Sequence, residues 1–115
     1  WHPAVWAGHC IPKERCIKSF NPIYRLSARG LQFMDAFLKA GNSGHYEMLM
    51  PTALFNHNYT LADIGGYGEF VPTGYGNRYY VNDTGNNGTM RYRPVYDPSY
   101  IRDIGAADKL FHPLK

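Results

Sequence analysis

Residues 44–52, GHYEMLMPT, place a carboxylate beside two rings that can form hydrogen bonds. Glu47 follows His45 and Tyr46 directly and precedes an apolar run that can anchor a helix in a core. A carboxylate held at the start of a helix, facing a cleft, can act as a general base. We therefore take Glu47 as the candidate base, and His45 and Tyr46 as candidate ligand contacts.

A structural explanation of Glu47 stays open beside the catalytic one. A Glu in a first helical turn interacts favourably with the helix dipole, and three residues after a cap at Gly44 it can bond the N–H group of that cap. Pro51 lies too far inside a helix that starts at His45 to be a first-position proline, which predicts an irregular first turn. Thr52 is expected to bond back onto its own helix.

Two further places carry residue types suited to anion or metal binding. Arg91 and Arg93 form a small basic group, and one or two arginines can bind an anion the size of a diphosphate. His112 stands between apolar residues and Pro113, where a structural or solvated His is as natural as a ligand. A metal at His112 would need carboxylates from elsewhere in the protein.

The elements that must position these residues form a helix-led pattern. Ser27 is a good N-cap, apolar residues recur at helical spacing after it, and Gly41 supplies a stop, which predicts a helix over 28–39. A second helix is predicted from Ser43 or Gly44 to about Asn56. The expected core residues of the two helices are Leu31, Met34, Phe37, Leu38, Met48, Leu49 and Leu54.

The rest of the sequence predicts short extended segments separated by turns rich in Gly, Tyr and Asn. The predicted extended segments are 16–20, 59–64, 69–72, 78–81 and 90–93, and a helical turn is predicted over 98–102. The fold class is therefore α+β, with two main helices, few short strands and long loops of the kind that often line binding sites.

Length and composition limit the class of protein. The 115 residues suit one domain, or part of one, with one core, and an apolar fraction of 44% is too high for disorder. No apolar run is long enough to span a membrane. A formal charge of +3 without a basic stripe argues against nucleic-acid binding. Because the sequence begins at Trp1 without a start signal, we expect it to be a piece of a longer chain.

Cysteines and asparagines bear on the compartment. Cys10 and Cys16 could pair in an oxidising compartment or stay reduced, and their spacing matches no common zinc site. Three Asn-x-Ser/Thr patterns, at Asn58, Asn82 and Asn87, fit the acceptor sequence for N-linked glycans. If the source is eukaryotic, they indicate the secretory pathway.

The order of these features resembles the C-terminal, acceptor-side half of GT-A type nucleotide-sugar glycosyltransferases. The resemblance covers most of the chain but only about half of such a domain, so the fold it implies is a fragment of a GT-A-like α/β domain. It rests on YRLS leading into a helix, the GHYE helix start, the Gly-Gly end of a predicted strand, the Tyr/Gly/Asn loop and the terminal FHPLK.

The resemblance implies a role for each candidate residue. Glu47 would deprotonate the acceptor hydroxyl and give inversion, with Met48 where the family's motif often has a second acid. His112 would help to hold a divalent metal, Mn²⁺ or Mg²⁺, shared with a missing N-terminal half that carries the family's Asp-x-Asp. The residues that would bind the nucleotide sugar and the carbohydrate or glycoconjugate acceptor are His45, Tyr46, Gly65, Gly66, Tyr67, Arg91 and Arg93.

The resemblance has two further implications, and two other functions stay open beside it. The fragment would be inactive alone, and a eukaryotic parent protein would work in the secretory pathway or Golgi lumen. The first alternative is a non-enzymatic carbohydrate-binding or extracellular interaction module, which needs neither Glu47 nor His112. The second is a small hydrolase that uses Glu47 with a partner such as Asp63.

Overall fold

The computed structural model describes residues 11, 15–81, 88–90, 95–103 and 108–112, and of Tyr100 and Asp103 only the backbone. The chain divides into two units, Trp1–Leu61 and Ala62–Lys115. The helices are α1, Ala28–Lys39, α2, Tyr46–Asn56, and α3, Pro98–Asp103. Two main helices and a short third one confirm the helix-led part of the prediction. Whether the chain is one domain or part of one stays a prediction.

Helix α1 has the bounds that its sequence predicts. The Ser27 hydroxyl accepts a hydrogen bond from the Gly30 N–H at 3.1 Å, which satisfies one of the free donors of the first turn. The helix stops at Ala40, and Gly41 follows with φ of +89°, a conformation that costs glycine little. The cap and stop predictions are confirmed.

The core of the first unit lies between α1 and α2, but only part of the predicted α1 face enters it. Met34, Ala53 and Leu54 are buried together, with partly buried aromatic rings around them. Leu31 and Leu38 are 61% and 50% exposed, so their prediction as core residues was wrong. They lie seven residues apart and therefore share one face, which is turned roughly 40–60° from Met34 at about 100° per residue.

Helix α2 begins later than predicted, and its interior proline is accommodated by a distant segment. His45 is the N-cap, and its carbonyl accepts bonds from Met48 N at 2.9 Å and Leu49 N at 2.7 Å. Pro51 has no N–H to give to the carbonyl four residues earlier, that of Glu47. The Ser19 N–H donates to that carbonyl at 3.1 Å, and the Ser19 hydroxyl donates to it as well.

The segment that carries Ser19 lies along α2 with alternate residues bonded to the helix. Arg15 and the Asn56 side chain exchange hydrogen bonds, and the Ile17 N–H donates to the Thr52 hydroxyl at 2.8 Å. The Thr52 hydroxyl lies 3.3 Å from the Ile17 carbonyl, to which it donates. The expectation that Thr52 bonds its own helix was therefore wrong, because this buried hydroxyl joins the helix to a segment remote in sequence.

We expect Thr52→Val to lower the free energy of unfolding by about 1–3 kcal/mol. Valine keeps the shape but leaves the Ile17 N–H, in a half-buried position, without its acceptor. The matched control is Thr60→Val, an exposed threonine in the same unit, which should stay within about 0.5 kcal/mol of the parent. Urea unfolding measures both, and equal losses would show that the Thr52 hydroxyl does not hold this segment.

The second unit contains less extended structure than predicted. None of 59–64, 69–72 and 78–81 is a strand, while 91–93 of the predicted segment 90–93 lie outside the described residues. Individual backbone hydrogen bonds connect the loops instead, such as the one from Asp63 N to Phe70 O at 2.7 Å. An isolated parallel bridge pairs Met90 with His112. Gly66, Gly68, Gly74 and Asn77 have positive φ, which interrupts any ladder.

Candidate functional site

Glu47 occupies the second position of α2, and its backbone and side chain do different things. The backbone oxygen accepts the two Ser19 bonds that compensate for Pro51. The side chain is 13% exposed. The cap lies two residues before Glu47, at His45, so the predicted bond back to a cap at Gly44 was wrong as an explanation of this residue.

The carboxylate oxygens of Glu47 make only long contacts to described residues. Oε1 lies 3.4 Å from the Asn21 N–H and 3.5 Å from the Tyr46 hydroxyl, both of which donate to it. Oε2 lies 3.8 Å from Nδ1 of His45, an ion-pair distance when that ring is protonated. Hydrogen bonds from N–H and O–H donors to oxygen are normally about 2.5–3.2 Å long between the heavy atoms. These three longer contacts therefore orient the carboxylate without holding it tightly.

The two rings beside Glu47 form the exposed edge of this cluster. His45 and Tyr46 stack with their centroids 5.1 Å apart, and both side chains are exposed. Partial burial, the charge of Glu47 and the hydrogen bond to Glu47 raise the pKa of the Tyr46 phenol above its usual value of 10.0. Tyr46 is therefore a neutral donor at physiological pH. His45, Tyr46 and Glu47 lie together, as consecutive residues must, and their role as site residues stays a prediction.

In the second unit, Gly65 and Gly66 are buried against one residue, Tyr80. The Tyr80 hydroxyl donates to both carboxylate oxygens of Asp63, at 2.7 and 2.8 Å, and the Gly65 N–H donates to Asp63 Oδ1 at 3.2 Å. The Gly66 N–H donates to the Tyr80 carbonyl at 3.2 Å. Close packing thus gives this glycine pair a structural reason, while its predicted role in substrate binding stays a prediction.

The Tyr80–Asp63 pair predicts a dependence of stability on pH. Burial, the hydrogen bond to Asp63 and the charge of Asp63 raise the pKa of Tyr80 in the folded chain. As pH rises, the unfolded chain loses the Tyr80 proton first, above pH ~10. The stabilisation that the Tyr80–Asp63 pair contributes is therefore complete below pH ~10, and it is lost as pH rises through the pKa of Tyr80 in the folded chain. Unfolding free energies between pH 8 and 11 should fall less steeply for Tyr80→Phe than for the parent.

Tyr75→Phe is the control for that prediction, since it removes the same group from an exposed ring. It should retain the slope of the parent chain. If Tyr80→Phe retains that slope as well, the hydroxyl of Tyr80 does not couple folding to its proton.

Three exposed tyrosines, Tyr67, Tyr75 and Tyr79, contact neighbouring side chains. The side-chain amide of Asn77 donates to the Tyr67 hydroxyl, and the rings of Tyr75 and Tyr79 lie 6.4 Å apart. The guanidinium of Arg78 stands 5.7 Å from the centre of the Tyr79 ring. Aromatic faces beside planar polar groups suit stacking and hydrogen bonding with a sugar. Tyr67 is the most exposed of the three, at 69%.

His112 is half-buried in the second unit, and its N–H donates to the Thr89 carbonyl at 3.0 Å. Across the part of the chain that the structure describes, no group of three or more His, Cys, Asp or Glu side chains could hold a metal ion. These residues therefore do not form a metal site by themselves, and the role of His112 stays a prediction. Arg91, Arg93 and Cys10 lie outside the described residues.

Sequence reasoning missed the residues that support Glu47 from outside its helix. Ser19 and Asn21 bond to it from positions 28 and 26 residues away, and no local pattern signals such a contact. The Asp63–Tyr80 pair, 17 residues apart, was missed for the same reason. Asn77 offered one signal, since Gly-Asn sequences favour turns with positive φ.

No protein-family model, curated protein or solved structure matches this chain. In the described ranges, no helix has both the length and the apolar character needed to cross a bilayer.

Proposed function

We propose that this chain is the acceptor-side half of a GT-A type glycosyltransferase, with Glu47 as the base that accepts the proton of the acceptor hydroxyl. The observation that carries the proposal is the Glu47 carboxylate, 13% exposed and without a contact shorter than 3.4 Å to the described residues. Burying a carboxylate without strong partners costs free energy. A role in proton transfer accounts for a group that the packing of the fold does not need.

The surroundings of Glu47 suit a base that works on a sugar hydroxyl. Ser19 fixes the backbone of Glu47, so the carboxylate is positioned without using its own oxygens. In the proposed reaction, the acceptor oxygen forms a bond to the anomeric carbon and the bond from that carbon to the nucleotide diphosphate breaks. The acceptor proton passes to Glu47. Attack opposite the leaving diphosphate inverts the anomeric centre.

His45 and Tyr46 are proposed to contact the acceptor at the exposed edge of the carboxylate. Tyr46, whose pKa lies above the usual value of 10.0, is protonated at neutral pH and can donate to a sugar oxygen as it does to Glu47. His45 stacks on Tyr46 and widens the aromatic face that a sugar ring could meet. Both side chains can bind without breaking a contact of the helical core.

The remaining parts of the proposal concern the donor. Gly65, Gly66 and Tyr67, with Arg91 and Arg93, are assigned to the nucleotide sugar and its diphosphate. A divalent metal, Mn²⁺ or Mg²⁺, would stabilise negative charge on the leaving diphosphate, with His112 as one ligand and the others from outside the described residues. The three glycan acceptor patterns suggest the secretory pathway or Golgi lumen of a eukaryote.

A second candidate is a carbohydrate-binding module without catalysis, and the exposed tyrosines of the second unit favour it. Tyr67, Tyr75 and Tyr79 could bind a saccharide whether or not Glu47 takes part in a reaction. The two candidates differ in one measurement. A parent polypeptide that binds saccharides but transfers no sugar from any nucleotide donor is the module.

The test of the proposed base is sugar transfer by the parent polypeptide carrying Glu47→Gln. Transfer should be lost while nucleotide-sugar binding, measured by calorimetry, is kept. Loss of binding together with transfer would assign Glu47 to the donor site instead.

A further inference from the structure

We infer that Asn58 is a site of covalent N-linked glycosylation, made on this chain by an oligosaccharyltransferase. Asn58-Tyr59-Thr60 has the acceptor sequence, and it lies immediately after α2. The inference concerns a modification of the chain, so it does not depend on transfer by Glu47.

The backbone presents Asn58 at the surface in a defined turn. Asn58 has φ of +62°, its N–H donates to Phe55 O at 3.1 Å, and the Tyr59 N–H donates to Leu54 O at 3.0 Å. These two bonds form the Schellman arrangement that ends many helices, with Asn58 in the left-handed position. Its side chain is exposed and makes no hydrogen bond to the described residues, so its amide nitrogen is open to an enzyme.

The three residues of the acceptor sequence differ in burial. The Tyr59 ring packs into the core of the first unit, 5.2 Å from the Phe33 ring centre, and the Arg29 guanidinium lies 5.2 Å from the centre of the Tyr59 ring. Asn58 and Thr60, on either side of it, are both exposed. Tyr59 thus anchors the segment while the two residues that an oligosaccharyltransferase reads remain accessible.

Helix termination alone explains Asn58 but not Thr60. Asparagine is favoured in the left-handed position at a helix end, so its presence there needs no modification. Thr60 has no comparable task, because within the described part of the chain its hydroxyl forms no hydrogen bond. A threonine two residues after an exposed asparagine is what the acceptor sequence requires, and this pairing carries the inference.

The acceptor pattern at Asn87 provides a contrast. Its threonine, Thr89, is buried, and the Thr89 hydroxyl accepts a bond from the Val81 N–H at 3.0 Å. In the folded chain that hydroxyl is engaged in packing, whereas the hydroxyl of Thr60 is exposed. Glycosylation of the folded chain should therefore distinguish Asn58 from Asn87.

The reaction needs a lipid-diphosphate-linked oligosaccharide as co-reactant. The bond from the sugar anomeric carbon to the diphosphate oxygen breaks, and a bond from that carbon to the Asn58 side-chain nitrogen forms. One amide proton is lost from that nitrogen, and the lipid diphosphate departs with the bonding electrons.

The experiment treats the folded full-length chain with a single-subunit oligosaccharyltransferase and a lipid-diphosphate-linked oligosaccharide. Peptide mapping should place a glycan at Asn58. Thr60→Ala should remove this glycan and Thr60→Ser should keep it, while Asn58→Gly removes the acceptor and still suits the left-handed turn. Asn87 in the same sample should be modified at least tenfold less.

Two results would overturn the inference. One is an unmodified Asn58 in the folded chain when a peptide with the same Asn-Tyr-Thr triplet is modified, because the turn then hides the acceptor. The other is a glycan that persists at Asn58 in Thr60→Ala, since the modification would then not depend on the acceptor sequence. Circular dichroism of each variant establishes that the chain treated with enzyme was folded.

Discussion

Glu47→Gln is expected to lower the rate of sugar transfer about 10²- to 10⁴-fold, the range found when a positioned general base is removed. Glutamine has nearly the shape of glutamate and can still accept bonds from the Asn21 N–H and the Tyr46 hydroxyl. It cannot accept the proton of the acceptor. The loss should therefore be in kcat, measured with saturating nucleotide sugar, and much smaller in the affinity for the donor.

The fold should not suffer from this exchange, because the structural bonds at Glu47 use its backbone. Ser19 donates to the backbone oxygen, which glutamine shares. The free energy of unfolding should thus remain within about 0.5 kcal/mol of the parent, as for substitutions that leave packing intact. A large loss of stability would mean that the carboxylate itself holds the segment around Asn21.

Glu69→Gln is the matched control, since it makes the same change at an exposed carboxylate that the proposal does not use. Its transfer rate should equal that of the parent. If Glu47→Gln and Glu69→Gln both transfer at the parental rate, Glu47 is not the base, and another group accepts the proton of the acceptor.

The first helix could be predicted from sequence because every local signal there agrees. Ser27 at the cap, the apolar spacing and Gly41 after the end all favour the same bounds. What its spacing could not decide is which side of a wide apolar face turns inward. Leu31 and Leu38 match the helical pattern as well as Met34 does, and only the position of α2 leaves them at the surface.

The candidate site shows the limit of local reasoning more clearly. Pro51 predicted an irregular first turn, but α2 is helical from Tyr46, and the bond that Pro51 cannot make is missing at the Glu47 carbonyl. The group that satisfies this carbonyl is Ser19, which nothing in the helix specifies. In the second unit, tyrosines favour strands and glycines favour turns, so local preferences do not decide the backbone structure there. Contacts between distant residues, such as those of Tyr80, decide it.

The glycines that pack on Tyr80 allow a stability experiment that separates two costs. An alanine Cβ at Gly66 would lie 2.8 Å from the Tyr80 ring, in a backbone with φ of +67°. At Gly65 it would lie 2.9 Å from Tyr80 atoms, without a positive φ, and at Gly74, with φ of +84°, it would meet nothing within 4 Å. Alanine at Gly66 thus carries both costs. Alanine at Gly65 carries the cost of the close contact alone, and alanine at Gly74 carries the cost of the backbone conformation alone.

Gly66→Ala is expected to lower the free energy of unfolding most, by about 2–5 kcal/mol, the sum of overpacking and left-handed strain. Gly65→Ala should cost about 1–3 kcal/mol and Gly74→Ala about 1 kcal/mol. The Tyr80 ring cannot simply move aside, because its hydroxyl is bonded to both oxygens of Asp63. Urea unfolding of the three variants measures the order.

A double-mutant cycle then decides whether Tyr80 is the cause. Tyr80→Ala removes the ring that a Cβ at Gly66 would meet, so the two changes together should cost less than the sum of their separate effects. Equal losses for Gly66→Ala and Gly74→Ala, or strict additivity in the cycle, would refute the close approach. The glycine pair would then lack a reason in the fold, and a ligand that approaches its backbone would be the explanation to pursue.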